Sequence, residues 1–226
     1  MSGFLSRLLF PTACPLCGTL DYPDEVERNG CCPACQKTYI YSTEQARVEL
    51  PAFVPACGEV YCCSFYGAKM KEAMTRFKFS EETYIGPCFG RIVYRVLSQN
   101  RALQYVDLIT VVPVSPERFR ERGYNQSLII SREISRLSHI ETVELLERQV
   151  QGQRQSGRLL EARQQEDNPF CLQEGAASRI AGKSILLVDD ILTTGNTLNR
   201  CGNLLRQAGA AWVAGACVTG GRKDFI

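Results

Sequence analysis

The residues best suited to chemistry are two adjacent carboxylates followed by a short loop of hydroxyl and small side chains. They are Asp189, Asp190, Thr193, Thr194, Gly195, Asn196 and Thr197. An apolar run, residues 185–188, precedes them, and a helical pattern follows. Backbone N–H groups and hydroxyls at the start of a helix can surround a phosphate, and glycine lets the backbone approach it closely. The pattern therefore predicts a phosphate site, with both acids placed to accept hydrogen bonds from the vicinal hydroxyls of a sugar.

This loop is not a P-loop, because the GK[ST] ending of that motif is absent. In open α/β sheets ligands bind beyond the carboxyl ends of the strands, which is where the loop is expected to lie. A plain strand, turn and helix, in which a threonine caps the helix, is the alternative interpretation.

Two C-x2-C pairs lie near the amino end of the chain, Cys14 with Cys17 and Cys32 with Cys35. Four thiolates from two tight turns can enclose a tetrahedral zinc ion and leave no coordination position open. A segment of about 45 residues also needs such a staple, because it cannot bury enough apolar surface alone. We therefore predict a structural zinc site. Reduced, buried cysteines are the alternative, and Cys31 could compete with Cys32 as a ligand.

The other cysteines, among twelve in the chain, are interpreted as thiols. Cys57, Cys62 and Cys63 lack the second pair that another zinc site requires, so buried thiols near a domain junction are favoured over a second metal. Cys88, Cys171, Cys201 and Cys217 fall in predicted helices or strands and are expected in the core. Because no export signal precedes these cysteines, disulfides are not expected and the protein is placed in the cytoplasm. No run of eighteen apolar residues predicts a membrane span.

Composition and periodicity predict two regions of different character. Of the 226 residues, 45% are hydrophobic and 22% charged, which excludes general disorder. The overall charge is only +2, so no bulk positive field requires nucleic acid, although residues 1–60 carry −3 and the remainder +5. We divide the chain into a cysteine-rich segment, 1–60, which is expected to open with a short helix that packs on the body of the protein, and a main domain, 61–226. Within the main domain a polar stretch, about 149–172, is expected to be a flexible hood.

Helices and strands alternate in the main domain. The spacing predicts helices over 67–78, 84–98, 125–137 and 196–208, and strands over 107–114, 183–188 and 211–218. Such alternation is typical of an α/β fold in which helices cover both faces of a parallel sheet.

Nine arginines fall within residues 118–163. Three of them, Arg118, Arg120 and Arg122, follow the predicted turn after the strand 107–114. They could hold a diphosphate, or track a nucleic-acid backbone with Phe119 and Tyr124 stacking on bases. A solvated charged face is the third interpretation. His139, the only histidine, is expected at the surface.

Residues 186–197 resemble the phosphoribosyl pyrophosphate (PRPP) motif of type I phosphoribosyltransferases. Together with the two cysteine pairs, Phe77-Lys78-Phe79, Pro113-Val114 and the run from Arg122 to Ser127 (RGYNQS), they resemble the ComF family over essentially the whole chain. The resemblance implies a phosphoribosyltransferase-like parallel sheet flanked by helices, with an amino-terminal four-cysteine zinc ribbon. It also implies a link to DNA uptake and natural transformation.

By the same resemblance, Asp189 and Asp190 would bind the ribose hydroxyls of PRPP, and residues 193–197 its 5′-phosphate. Magnesium would bridge pyrophosphate and ribose. The pyrophosphate loop and its basic neighbours would be Pro113, Val114, Ser115, Arg120 and Arg122. Gln155, Arg163 and Phe170 can be matched to the hood of the family, whereas Asn168 does not fall at the usual spacing.

Three functions follow from this sequence. An enzyme would transfer ribose 5-phosphate from PRPP to a nitrogen nucleophile. No base-recognition element or general base is evident, which favours a second class, a non-catalytic single-stranded DNA-binding protein that uses the basic 118–163 region. A sensor that passes a PRPP signal to a partner is the third. DNA-uptake proteins are the expected partners.

Overall fold

A parallel sheet forms the centre of the computed structural model, which describes residues 12–48, 56–149 and 168–220. The strands are β1 (Arg47–Val48), β2 (Glu59–Cys62), β3 (Leu108–Val111), β4 (Leu146–Arg148), β5 (Phe170–Leu172), β6 (Ser184–Leu192) and β7 (Trp212–Gly220). The α-helices are α1 (Pro23–Asn29), α2 (Pro33–Tyr39), α3 (Thr43–Ala46), α4 (Ala68–Phe79), α5 (Ile85–Gln99), α6 (Pro116–Arg122), α7 (Gln126–Ser138), α8 (Ala176–Ile180) and α9 (Asn196–Gln207). A 3-10 helix spans Ala102–Tyr105. Within these ranges no helix has the length and apolar character needed to cross a membrane.

The main sheet has the strand order β1-β2-β7-β6-β3, and every neighbouring pair except β1 with β2 is parallel. The α/β prediction is confirmed, with a longer β6 than the sequence indicates. Asp189 pairs with Cys217 and Ile191 with Thr219, so the ladder continues past the acid pair. The reason is that β7 is as long as β6, so its backbone offers hydrogen-bond partners up to the end of β6. The polar side chains of the acid pair do not indicate that the strand continues.

Both faces of the sheet are buried, as expected for parallel strands. Successive residues of β6 alternate between two cores. Leu186 and Val188 belong to the core that contains α4, α5 and α7, whereas Ile185 and Leu187 belong to the core that contains α8 and α9. At roughly 1.5–3 kcal/mol for each fully buried aliphatic side chain, these residues anchor the strand that carries the acid pair.

The cysteine-rich segment packs against the main domain. Val26 and Cys31 belong to the same core as Phe89 of α5. Gly30 has φ +85°, and a Cβ there would lie 2.1 Å from the carbonyl oxygen of Cys88, so only glycine permits this close approach. Arg76 of α4 donates a hydrogen bond to the carbonyl of Pro15. This contact ties the first cysteine turn to the main domain.

The same segment is more helical than the sequence predicts. Helices α1 and α2 have seven residues each, and a proline stands at the first turn of both. They are too short to show a periodic apolar face, so the sequence pattern does not reveal them. Strand β2 already begins at Glu59 and pairs with β7. The division of the chain at residue 60 stays a prediction, and the predicted opening helix lies outside the described residues.

Candidate functional site

The acid pair lies near the carboxyl end of β6, where the phosphate loop begins. Gly195, with φ +78°, immediately precedes α9, and this left-handed conformation favours glycine. The N–H of Asn196 donates to the hydroxyl of Thr194 at 3.4 Å. The loop therefore turns directly from the strand into the first turn of a helix, as the sequence predicts.

A cavity of ≈ 260 Å³ opens above the acid pair, between β6, the turn after β3, α6 and the start of α7. It is lined by Lys78, Val112, Pro113, Val114, Arg118, Arg122, Asn125, Gln126, Ser127, Arg148, Phe170, Asp189, Asp190, Ile191, Thr193 and Thr197. Four of these side chains are cationic and two are acidic. The lining therefore carries a net charge of +2, which favours a polyanion.

Lys78 of α4 forms an ion pair with one member of the acid pair. Its Nζ lies 2.6 Å from Oδ2 of Asp190, and both side chains are largely buried. Oδ1 of Asp189 accepts hydrogen bonds from the N–H of Asp190 at 2.8 Å and from the hydroxyl of Ser127 at 3.4 Å. Burial, and next the charge of Asp190, raise the pKa of Asp189 to about 7, against the lowering effects of these hydrogen bonds and of Lys78. Asp189 is thus poised to gain or lose its proton near neutrality.

Two buried donors in the cavity wall have no acceptor among the described residues. They are Nε of Arg122 and Nε2 of Gln126. The Arg122 guanidinium otherwise donates to Oε1 of Gln126 at 3.3 Å and stacks on the ring of Phe79, 4.8 Å from its centroid. Because buried donors are normally satisfied, these two unpaired groups mark this wall of the cavity as unusual.

The turn between β3 and α6 is held by Asn125. Its Nδ2 donates to the carbonyl of Val112 at 3.2 Å, and its Oδ1 accepts from the N–H of Ser127 at 3.0 Å. The second bond also caps the amino end of α7. One side chain thereby fixes the turn that carries Pro113 and Val114 at the cavity wall.

Helical geometry separates the three arginines of α6. Arg118 and Arg122 are four residues apart, share one face and line the cavity. Arg120 lies outside the cavity lining, with a side chain that is 72% exposed and only 4.0 Å from Glu117. The predicted Ser115 is also outside the lining, and its hydroxyl caps α6 by accepting from the N–H of Arg118.

The structure brings most of the predicted residues together and adds several others. Asp189, Asp190, Thr193 and Thr197 line the cavity, whereas Thr194, Gly195 and Asn196 form the turn beside it. Lys78, Gln126 and Arg148 also line the cavity, although the sequence pattern gives them no individual role in the site. Lys78 and Gln126 stand in the FKF and RGYNQS motifs, and Arg148 is one of the clustered arginines. These motifs were the available signal.

Only the base of the predicted hood belongs to the described residues. It is an antiparallel pair of β4 and β5, in which Arg148 lies opposite Phe170. The Arg148 guanidinium is 5.4 Å from the centroid of the Phe170 ring, and both side chains reach the cavity. Asn168 accepts from the N–H of Phe170 at 3.1 Å. The matched residues Gln155 and Arg163 lie outside the described residues.

Cys14, Cys17, Cys32 and Cys35 converge, with all four sulfurs within 4.8 Å of one another. The sulfurs of Cys17 and Cys32 are 3.6 Å apart. A tetrahedral zinc–thiolate centre with bonds of about 2.3 Å requires sulfurs roughly 3.8 Å apart. The donor set and spacing fit zinc, so the cluster could hold a structural metal. Cys31 is buried but does not belong to this cluster, so the spacing of the sulfurs favours Cys32 over Cys31 as the fourth thiolate.

Most of the remaining cysteines are buried thiols and the histidine lies at the surface, as the sequence predicts. Cys57, Cys62, Cys63, Cys88, Cys201 and Cys217 are buried thiols. Cys171 is less buried than expected, and its thiol contacts Glu147 at 3.3 Å. His139 is exposed at the end of α7.

Comparison with known proteins places this architecture in a family. Residues 128–224 match the model of the phosphoribosyl transferase domain. The competence protein ComFC of Streptococcus pneumoniae is 31% identical over 196 residues, which make up 86% of this chain and 83% of that protein. The chain belongs to the ComF family. Competence protein F of Haemophilus influenzae is 27% identical over 81% of this chain and 87% of its own length. The Escherichia coli DNA utilization protein YhgH is 29% identical over 68% of each chain.

The ComF family assignment confirms the predicted fold class, a phosphoribosyltransferase-type domain with a four-cysteine cluster at its amino end. Among solved structures, the glutamine PRPP amidotransferase of B. subtilis is similar, with 20% identity and a TM-score of 0.43. That match covers 59% of this chain and 26% of the amidotransferase chain.

Proposed function

We propose that the chain binds PRPP, or a related phosphoribosyl ligand, in the cavity at the carboxyl ends of β3 and β6. The carrying observation is that Arg122 and Gln126, each with a buried donor that has no acceptor among the described residues, line the same cavity as two carboxylates. A ligand with hydroxyl groups at one end and phosphates at the other complements this arrangement. The net charge of +2 around the cavity supports the same conclusion.

Each part of the cavity has a role in this proposal. The carboxylates of Asp189 and Asp190 accept hydrogen bonds from the ribose hydroxyls. The loop 193–197 binds the 5′-phosphate at the start of α9, where the helix dipole favours an anion. Arg118 and Arg122 hold the diphosphate beside the turn of Pro113 and Val114. The predicted Arg120 contributes only long-range charge, because its side chain points away from the cavity.

Two metals belong to the proposal. Zinc in the four-cysteine cluster is structural, because four thiolates complete its coordination. Magnesium would accompany PRPP and, when bound, would supply positive charge that offsets the charge of the diphosphate. Turnover of PRPP with a nitrogen nucleophile would make the protein a phosphoribosyltransferase.

The relatives named for competence and DNA utilization support a role in DNA uptake, which we propose takes place in the cytoplasm with DNA-uptake proteins as partners. Binding of single-stranded DNA by the basic 118–163 region is a second candidate function. It is favoured by Arg120 and Phe119, which are exposed on the outer side of α6. A guanidinium beside an aromatic ring is typical of surfaces that track a single strand.

Calorimetric titration of PRPP with Mg²⁺ into the zinc-loaded protein tests the first function. We expect saturable binding that is lost in the double variant Asp189→Ala, Asp190→Ala. Arg118→Ala should weaken binding about tenfold or more, since a charge-assisted hydrogen bond contributes roughly 1.5–3 kcal/mol. Arg120→Ala is the matched control and should bind PRPP as the wild type does. Wild-type affinity in the acid-pair variant would refute the ribose assignment.

The same control variant separates the two functions. If the outer face of α6 binds single-stranded DNA, Arg120→Ala lowers DNA affinity and the salt dependence of that affinity. PRPP binding stays unchanged in this variant. A protein that binds PRPP but shows no salt-dependent DNA affinity would eliminate the second candidate.

A further inference from the structure

A second cavity, of ≈ 600 Å³, lies at the opposite end of the sheet from the phosphate site. Its lining includes Glu59, Ser184 and Trp212, the first residues of three parallel strands. Asp190 lies six residues beyond Ser184 along β6. At about 3.3 Å per residue, the two cavities are therefore roughly 20 Å apart. The size is within the range of about 300–1,000 Å³ that is usual for small-molecule sites.

Three aromatic rings line this second cavity, those of Tyr61, Tyr105 and Trp212. Tyr61 is buried, and its hydroxyl donates to Oε2 of Glu59 at 2.7 Å, which fixes the ring. Trp212 packs so closely on Gly58 that a Cβ there would lie 2.7 Å from the indole Nε1. Tyr105 is 74% exposed at the rim. Two rings are therefore held in place, and a third is free to close over a planar ligand.

The charges in the cavity decide which kind of planar ligand fits. A ring cluster beside a carboxylate could hold a cation, but the carboxylate of Glu59 is already occupied. Its Oε1 is 2.6 Å from Nη2 of Arg47, and its Oε2 accepts from Tyr61. The remaining charge is the guanidinium of Arg101, which forms no ion pair with any residue that the structure describes. The cavity thus offers an uncompensated positive charge.

The backbone of Arg101 is also unusual. Its φ of +57° is left-handed, a conformation that costs a non-glycine residue free energy. This turn joins α5 to the 3-10 helix Ala102–Tyr105. It brings the guanidinium of Arg101 and the ring of Tyr105 to the same cavity. An anion and an aromatic surface can therefore be recognised together.

From these observations we infer that the second cavity binds a nucleoside monophosphate. The base stacks among Tyr61, Tyr105 and Trp212, and the phosphate binds the guanidinium of Arg101. This site is independent of the proposed PRPP site, because it uses other residues at the other end of the sheet. Ribose 5-phosphate and inorganic pyrophosphate lack a base and should not occupy it.

Trp212 is the only tryptophan of the chain, so its fluorescence reports on this cavity alone. We expect saturable quenching when AMP, GMP, CMP or dTMP is titrated into the full-length protein, excited at the red edge of the indole absorption. Arg101→Gln should weaken binding about tenfold, as expected for loss of one charge-assisted contact to phosphate. Tyr105→Ala should weaken it, whereas Tyr105→Phe should not. Arg28→Gln, at an exposed arginine outside the cavity, is the matched control.

The double variant Asp189→Asn, Asp190→Asn should keep the quenching, since its substitutions lie in the other cavity. The test of the second cavity therefore does not depend on whether the protein binds PRPP. Absence of saturable quenching by all four nucleotides would overturn the inference, as would wild-type affinity in Arg101→Gln. Quenching by an oligodeoxythymidylate but by no mononucleotide would also overturn it, in favour of a strand-binding surface.

Discussion

Replacing Lys78 with methionine tests how strongly the charge of this lysine favours the ionised form of Asp189. The substitution removes the ammonium group 2.6 Å from Asp190 but keeps most of the side-chain volume. At an effective dielectric constant of about 20, the gross attraction over that distance is about 6 kcal/mol. Removing these two side chains, which are 18% and 16% exposed, from water costs free energy that offsets most of this attraction. The net contribution of the ion pair is then roughly 1–3 kcal/mol.

The charge of Lys78 also lowers the pKa of Asp189. Since one pH unit corresponds to about 1.4 kcal/mol, the pKa of Asp189 should rise in Lys78→Met by no more than about one to two pH units. The wild-type pKa of Asp189 is about 7, so at neutral pH the variant should hold a proton that the wild type has half released. The assay is a titration of the aspartate carboxyl carbons by NMR, in wild type and variant.

Lys71→Met provides the matched control, because Lys71 is an exposed lysine on the same helix α4. It should leave the titration of the acid pair unchanged. If Asp189 titrates in Lys78→Met as it does in the wild type, Lys78 does not influence the pKa of this carboxyl group, and the prediction is refuted.

Three further predictions follow from the described contacts. Asp189→Asn should stabilise the free protein by up to about 4 kcal/mol above pH 7, because the pKa of Asp189 is about 7 when folded against an ordinary 3.8 and one pH unit corresponds to about 1.4 kcal/mol. The native state binds the extra proton, so wild-type stability falls as the pH rises from about 4 to 7, and urea unfolding should show that the difference between variant and wild type vanishes below that range. Cys17→Ser should release zinc and lower the melting temperature, whereas Cys31→Ser should retain the metal, as measured by elemental analysis; retained zinc in Cys17→Ser would eliminate the site. Arg76→Ala should weaken PRPP binding severalfold in calorimetry with zinc content unchanged, and unaltered affinity would show that the cysteine cluster and the phosphate site are uncoupled.

Much of the fold was predictable because each core strand is a continuous apolar run bounded by turn residues. Residues 185–188 are such a run, and all four are buried in β6. The C-x2-C spacing likewise predicted a cluster that the structure assembles. Both patterns are local in the sequence, yet each requires a tertiary arrangement. An apolar parallel strand must be covered by other elements on both faces, and two cysteine pairs must come together to bind one metal ion.

The other contributors to the site were not predictable, because tertiary packing alone brings them together. Lys78 and Asp190 are separated by 112 residues in sequence, yet they form an ion pair. Arg118 and Arg120 cannot be distinguished from the sequence pattern alone. In α6, residues two positions apart point to different sides of the helix, so Arg118 lines the cavity and Arg120 is exposed to solvent. Short helices such as α1 escape detection because seven residues show too few turns of periodicity.

Helix α4 gives the cysteine cluster a physical connection to the phosphate site. Arg76 donates to the carbonyl of Pro15, inside the first cysteine turn, and also pairs with Glu82 at 2.9 Å. Two residues further along the same helix, Lys78 contacts Asp190. Because a helix moves nearly as a rigid body, a shift of the cysteine turn changes where Lys78 can reach. A metal bound in the cysteine cluster would therefore also influence the acid pair, through the helix that the first cysteine turn contacts.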